Sequence, residues 1–291
     1  MIKFSKSKLN TYISCGEKYR IHYELGIRAR KTSNTLVEGS CIHHLVETGI
    51  AYGDQISDVL EHASIHFWEG HPFDRCAYDS EESYLLAQAI CLEQSRQFLD
   101  LLGPQHAQAI ELHLERPLIH PLTGEDHSDI ILNGFIDLVL VGEDGRPIIV
   151  DLKTVARRPQ EGMSRLALEL SMYSYLMEER LPVQEITRTN VALVYLIRTK
   201  LPQLHWDSSV RTLHHLLDLY AICRKVAEDI NQAIYYRNPG MHCGYCDSKS
   251  LCYHLPEQAV LIFGEENWQL YVDDMLTREQ GLPNMALAAN Y

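Results

Sequence analysis

Apolar and polar positions alternate with two different periods along the chain, and the change of period marks its organisation. From residue 5 to about 102 the apolar residues recur at helical spacing. A first helix is expected over 5–24, opened by serines, with Leu9, Tyr12, Ile13 and Tyr19 on its apolar positions. Further helices are expected over 34–51, 54–69 and 80–102. The pattern then becomes β-branched runs broken by turn residues: "AIELHLERPLI" (109–119), "DIILNGFIDLVLV" (129–141) and "RPIIVDLKT" (146–154). A helix fits 162–180, where Met163, Leu166, Ala167, Leu170, Tyr173 and Met177 share helical spacing. A buried strand over 189–199, a short "QLHW" segment and a helix over 208–236 follow. The last 15 or so residues read as poorly ordered. Helices, a small mixed sheet interrupted by a helix, and helices again predict an α/β or α+β core with helical wrapping.

The hairpin "LNGFIDLVLVGEDGRPIIVDLKT" fixes a register. "EDG" reads as a three-residue loop, a type I turn closed by Gly145 in the left-handed conformation. That loop pairs Gly142 with Arg146, and counting outward sets Asp137 opposite Asp151 on one face, Cβ atoms ~5 Å apart. Lys153 shares that face and Ile148, Val150 and Leu152 turn to the other. A two-residue "DG" loop would instead set Asp137 opposite Leu152. Two carboxylates and an ammonium on one face suit a divalent cation bound by oxygen. They also suit a plain exposed Asp–Lys pair, which is the commoner reading of a hairpin taken alone.

Composition narrows the partners. The formal net charge of −13 argues against a surface that coats nucleic acid throughout. A local groove is still open to the basic stretches Gly26–Lys31, Lys153–Arg158 and Leu196–Lys200, although each alone reads as a solvated loop end. No apolar run approaches the ~20 residues of a membrane span, and the start, "MIKFSKSKLNTY", lacks a signal peptide's apolar stretch. A cytoplasmic protein with reduced thiols is the expectation. Of the eight cysteines, Cys243, Cys246 and Cys252 form C-x2-C-x5-C. Taken alone, that tail suits zinc completed by His242 or His254. Cys41, Cys76, Cys91 and Cys223 fall in helical patterns and read as small buried hydrophobes.

The order of the remaining motifs is more specific than any one of them. "YISCGEKYRIHY" holds Cys15 before a Lys–Tyr pair, and "GSCIH" places His43 four residues after a glycine. "GFID" ends on Asp137, "DLK" spans Asp151–Lys153, and "ELSMY" carries Glu169 and Tyr173 one helical turn apart. From about Ser5 to His254 the chain resembles the RecB-like branch of the PD-(D/E)XK nucleases, in particular its iron–sulfur members. These are the CRISPR-associated RecB-like exonucleases, the AddB-type nuclease domains and their phage relatives.

The resemblance implies a restriction-endonuclease-like mixed sheet core flanked by helices, with N- and C-terminal helical segments joined by an iron–sulfur cluster. It implies one nuclease domain over 1–291, comprising an N-terminal helical part (1–104), the core (105–207), a helix and cluster-binding loop (208–254) and an extension (255–291). His43, Asp137, Asp151 and the backbone carbonyl of Leu152 would ligate Mg²⁺ or Mn²⁺. Lys153 would be the catalytic lysine, and Tyr173 would contact DNA or support the site. Cys15 would complete a 4Fe–4S cluster with Cys243, Cys246 and Cys252. The implied activity is metal-dependent exonucleolytic hydrolysis of single-stranded DNA ends, in a prokaryotic cell or phage-infected host, alongside proteins of recombination, replication or CRISPR adaptation. A non-catalytic DNA-end-binding subunit and a zinc-stabilised module are the rivals. Two positions depart from the family pattern: Gly16 replaces a proline, and Glu169 stands where glutamine is usual, adding negative charge near the metal.

Overall fold

The structure, a computed structural model, describes residues 1–53, 56–105, 107–178, 181–182 and 188–280. Its elements run β1 (Ile2–Phe4), α1 (Lys6–Ser14), α2 (Gly16–Tyr19), α3 (Asn34–Tyr52), α4 (Ile56–Glu69), α5 (Glu81–Leu102), β2 (Ala107–Ile119), β3 (Asp126–Val141) and β4 (Pro147–Val155). Then come α6 (Met163–Leu166), α7 (Leu168–Met177), β5 (Arg188–Ile197), β6 (Gln203–Thr212), α8 (Leu213–Asn231), α9 (Lys249–Cys252), α10 (Pro256–Phe263) and α11 (Glu265–Gln280). The chain divides into two compact units, one of Met1–Asn10 with Thr32–Asn231, the other of Thr11–Lys31 with Gln232–Tyr291.

The first unit is a mixed α/β layer structure of the kind expected. Its sheet has six strands, ordered β1-β3-β4-β5-β6 with β2 also on β3. β1–β3 and β4–β5 are parallel and the other pairs antiparallel. Leu138, Val150, Leu152 and Val194 from the sheet pack with Cys41 and Leu45 of α3, Leu60 of α4 and Phe98 of α5 in one apolar cluster. Apolar burial at roughly 25 cal/mol per Å² is what holds these helices to the strands. α7 is buried at Leu170, Met172, Tyr173 and Tyr175 and contacts β2, β3, β4 and β5.

The hairpin has the three-residue loop. Gly145 adopts φ +75°, the Gly142 N–H donates to the Arg146 carbonyl at 2.8 Å, and the ladder runs from Val141↔Pro147 to Leu138↔Val150. β2 follows β3 from Ile119↔Asp126 to Ala107↔Leu140. β1 and β4 therefore share the other edge of β3, β1 at Ile130–Leu132 and β4 at Leu138–Val141. The sheet forks between those two stretches.

Three helix expectations need correcting. The stretch 5–24 is broken at Cys15, whose extended backbone (φ −165°, ψ 111°) separates α1 from α2, and its last turn, Arg20–Glu24, is π-helical. The stretch 162–180 breaks at Ala167. There the buried Arg211 guanidinium donates to the Ser164 and Ala167 carbonyls at 2.6 and 2.8 Å and to Ser171 Oγ at 2.9 Å. A tertiary donor thus takes carbonyls that a continuous helix would satisfy internally. The C-terminal helix begins at Leu213, because 208–212 extend β6 antiparallel to β5, from Ala192↔Ser208 to Arg188↔Thr212. Cys76 lies outside any helix, in an isolated bridge with Thr32, and is buried like Cys41, Cys91 and Cys223. The C-terminal stretch expected to be poorly ordered falls, from residue 281 on, outside the described residues.

The second unit has its own small core of Ile21, Ile27, Leu251, Ala259, Phe263 and Tyr271. Within it Glu17 and Arg20 form a buried ion pair (2.6 Å), and Glu17 Oε1 accepts from the Tyr271 hydroxyl at 3.3 Å. Among the described residues no helix is long and apolar enough to cross a membrane.

Candidate active site

Asp137 stands at the fork. In the β3–β4 ladder the Gly142–Arg146 rung is hydrogen-bonded, and bonded rungs recur every second pair. The next rung beyond Leu138↔Val150 would give the Leu152 N–H to Ile136. Instead Leu152 N–H donates to Asp137 Oδ2 at 2.7 Å. The carboxylate thus stands in for the departing backbone and is pinned where the strands part. The pairing stops at Leu138↔Val150, one position short of the Asp137–Asp151 pair expected from the sequence, so Asp137 meets β4 through the Leu152 N–H rather than as a cross-strand partner of Asp151.

α3 delivers His43 to the same carboxylate. His43 Nε2 lies 3.0 Å from Asp137 Oδ2 and its Nδ1 lies 3.1 Å from Glu47 Oε1. Burial alone would push the His43 pKa down, but hydrogen bonds and charge from Asp137 and Glu47 raise it to about 10. With a carboxylate at each nitrogen, the imidazolium is the favoured form, since only it donates from both. Among the described residues, His43, Glu47 and Asp137 form a group whose ligand atoms lie within 4.8 Å of one another. Glu47 was not expected from the sequence, although a carboxylate one turn after a histidine is the available signal.

Asp151 is wholly buried and flanked by cations. Lys153 Nζ lies 2.6 Å from Oδ2 and 3.2 Å from Glu169 Oε1. Lys6 Nζ, from the first turn of α1, lies 2.8 Å from Oδ1. The Lys153–Oδ2 contact is close enough for an ion pair but lacks hydrogen-bond geometry, which leaves Oδ2 without a hydrogen-bonded partner. Burial would raise the Asp151 pKa, and Lys153 and Lys6 together hold it below the ordinary carboxylate value. Both lysines are held above their ordinary values by the surrounding carboxylates, against burial. The Tyr173 hydroxyl reaches Asp151 Oδ1 at a long 3.5 Å, and its ring carries the Lys6 ammonium 5.4 Å from its centroid. Gly134, the glycine of "GFID", gives that ring its room: an added Cβ would stand 3.0 Å from Tyr173 Cε1. Lys6 was also missed, and its signal is a lysine in a helix's first turn, where the helix dipole disfavours cations.

A hard divalent cation fits this donor set. The buried Asp151 Oδ2 lacks a hydrogen-bonded partner, Glu47 Oε1 meets only His43 Nδ1 among the described residues, and carboxylate oxygens are what Mg²⁺ and Mn²⁺ prefer. His43, Asp137, Asp151, Lys153, Glu169 and Tyr173 are thus all brought to one place, with Leu152 contributing its N–H to Asp137.

The four remaining predicted residues meet in the second unit. Cys15, Cys243, Cys246 and Cys252 are free thiols lining one cavity of about 410 Å³, together with Lys18 and Arg237. Burial raises the Cys252 thiol to about 12, with further upward contributions from Glu17, Cys246 and Cys15.

A forked mixed sheet with an acidic, lysine-bearing cluster at the fork is an architecture suited to phosphodiester cleavage. The family profile described as "PD-(D/E)XK nuclease superfamily" matches residues 3–253, and the chain belongs to that superfamily. No curated protein matches it. Among solved structures it is similar to SSO0001 (16% identity, 79% of this chain and 90% of that one covered, TM-score 0.34). It is also similar to a protein from Eubacterium rectale described as "Putative exonuclease" (13% identity, 84% and 86% covered, TM-score 0.48).

Proposed function

We propose that the protein is a metal-dependent DNA exonuclease that hydrolyses single-stranded ends and carries a structural 4Fe–4S cluster. The observation that carries the nuclease reading is the convergence of Asp137, Asp151 and Lys153 with His43 at the fork. His43, Asp137 and Asp151, with the Leu152 carbonyl, would hold the divalent ion. Bound there, such an ion supplies a water acidic enough to attack at neutral pH and offsets phosphoryl charge. Lys153, held protonated between Asp151 and Glu169, is positioned to orient the attacking water and to stabilise negative charge on the phosphoryl oxygens. Tyr173 buttresses Asp151.

The cluster reading is supported by four thiols around a cavity of about 410 Å³. Four thiolates suit a 4Fe–4S cluster, which is held by cysteine alone. Its role is to tie the segment Thr11–Lys31 to the C-terminal loop within their unit. The setting is DNA processing in a prokaryotic cell or phage-infected host, with proteins of recombination, replication or CRISPR adaptation.

One anaerobic preparation tests both halves. Wild type should degrade a labelled single strand only with Mg²⁺ or Mn²⁺, and Asp151→Ala and Lys153→Ala should not. Equal products from all three would overturn the nuclease reading and favour a DNA-end-binding subunit. Iron and sulfide near four atoms each per chain, with visible absorbance lost in Cys15→Ala, are expected for the cluster. A colourless protein containing zinc would overturn it.

A further inference from the structure

The face of β2 and β3 that carries Asp137 continues beyond the fork as an exposed strip. Neighbouring residues on a strand face opposite ways; Gly134 faces Tyr173 of α7, so Phe135 and Asn133 face away from α7, toward the side from which His43 of α3 reaches Asp137. Across the ladder His113 pairs with Phe135 and Glu115 with Asn133. Lys3, opposite Ile131, joins the strip at its far end and forms an ion pair with Glu115. Of the six phenylalanines Phe135 alone is exposed, at 56%. The His113 ring stacks on it, centroids 4.5 Å apart and planes at 26°. From Asp137 outward the strip therefore reads carboxylate, stacked aromatic pair, then an amide beside the Glu115–Lys3 ion pair.

We propose that His113 and Phe135 form a subsite for an unpaired nucleobase, resting on the nuclease reading above. Phe135 is ~7 Å along the strand from Asp137, so a strand whose phosphate sits at the fork lays a neighbouring base over the Phe135 ring. His113 broadens and backs the platform. A base in a duplex has both faces stacked on its neighbours and cannot use such a platform, whereas an unpaired base can, whatever its identity. The subsite therefore gives preference for single strands without preference for sequence.

The test is equilibrium binding of a single strand carrying 2-aminopurine near its end, against a hairpin duplex of the same sequence. It is run in Ca²⁺ with the oligonucleotides checked intact afterwards. Phe135→Ala should weaken single-strand binding on the order of tenfold, abolish the 2-aminopurine quenching and change duplex binding less than twofold. Phe135→Trp should retain both affinity and quenching. The thermal midpoint of each variant should match wild type, because the side chain is exposed. Unchanged single-strand affinity in Phe135→Ala, or equal losses on both substrates, overturns the subsite. Where either result comes with a wild type that binds single strands in Ca²⁺ and cleaves them in Mg²⁺, the subsite alone falls and the nuclease reading stands. If wild type neither binds nor cleaves DNA, the nuclease reading falls and the subsite with it.

Discussion

The Lys6 ammonium lies 2.8 Å from Oδ1 of Asp151, a carboxylate with no solvent exposure that carries Lys153 against its other oxygen. A buried carboxylate is tolerated only where cations compensate it, and a divalent ion at Asp151 would have to share or displace that compensation. Lys6→Met should therefore lower the metal-free stability by about 2 kcal/mol, less than the loss of a fully buried pair because Lys6 is one-third exposed and Lys153 remains. Mn²⁺ should then raise the melting temperature of the variant more than that of wild type. Equal Mn²⁺-induced shifts in both proteins would show that Lys6 does not compete for the seat.

His43 couples metal binding to protons. Its pKa of about 10 in the metal-free site means that it is an imidazolium at neutral pH, whereas a metal ligand must be neutral. Each ion bound should release close to one proton between pH 7 and 9. Mn²⁺ affinity should rise about tenfold per pH unit over that range and level off above pH 10. His43→Ala should bind more weakly and lose that slope, which titration calorimetry in buffers of different ionisation enthalpy would measure.

The close approach at Gly134 predicts a second structural sensitivity. A methyl there would meet Tyr173 Cε1 at 3.0 Å and Leu176 Cδ1 at 3.3 Å. Gly134→Ala should cost about 1–3 kcal/mol by overpacking, and should reduce kcat because the Tyr173 ring buttresses Asp151. Chemical denaturation and steady-state kinetics on the one variant separate the two effects.

Glu169 places a carboxylate 3.2 Å from Lys153, where the resembled family usually has an amide. Glu169→Gln removes one negative charge from the neighbourhood of a bound phosphate. It should lower KM for DNA about two- to fivefold, leave kcat within threefold and weaken Mn²⁺ binding by a similar small factor. A kcat loss of a hundredfold would instead make Glu169 part of the chemistry.

The sequence by itself determined what depends on local geometry. Turn chemistry at Gly145 set the β3–β4 register as far as Leu138↔Val150, one position short of Asp137. Helical spacing put Glu169 and Tyr173 on one side of α7. The tertiary structure decided what depends on where the elements go. A backbone pattern carries no sign that β4 leaves β3 after Leu138, so the fork that pins Asp137 on the Leu152 N–H was invisible. Lys6 and Glu47 read as ordinary helix residues until α1 and α3 bring them to carboxylates far away in the chain. The breaks at Cys15 and Ala167 interrupt stretches whose residues read as helical throughout. At Ala167 the physical cause is a hydrogen bond from Arg211, 44 residues distant. Local periodicity reports which face of an element is buried; it does not report which distant donor will claim its carbonyls, or which distant ammonium will meet its carboxylate.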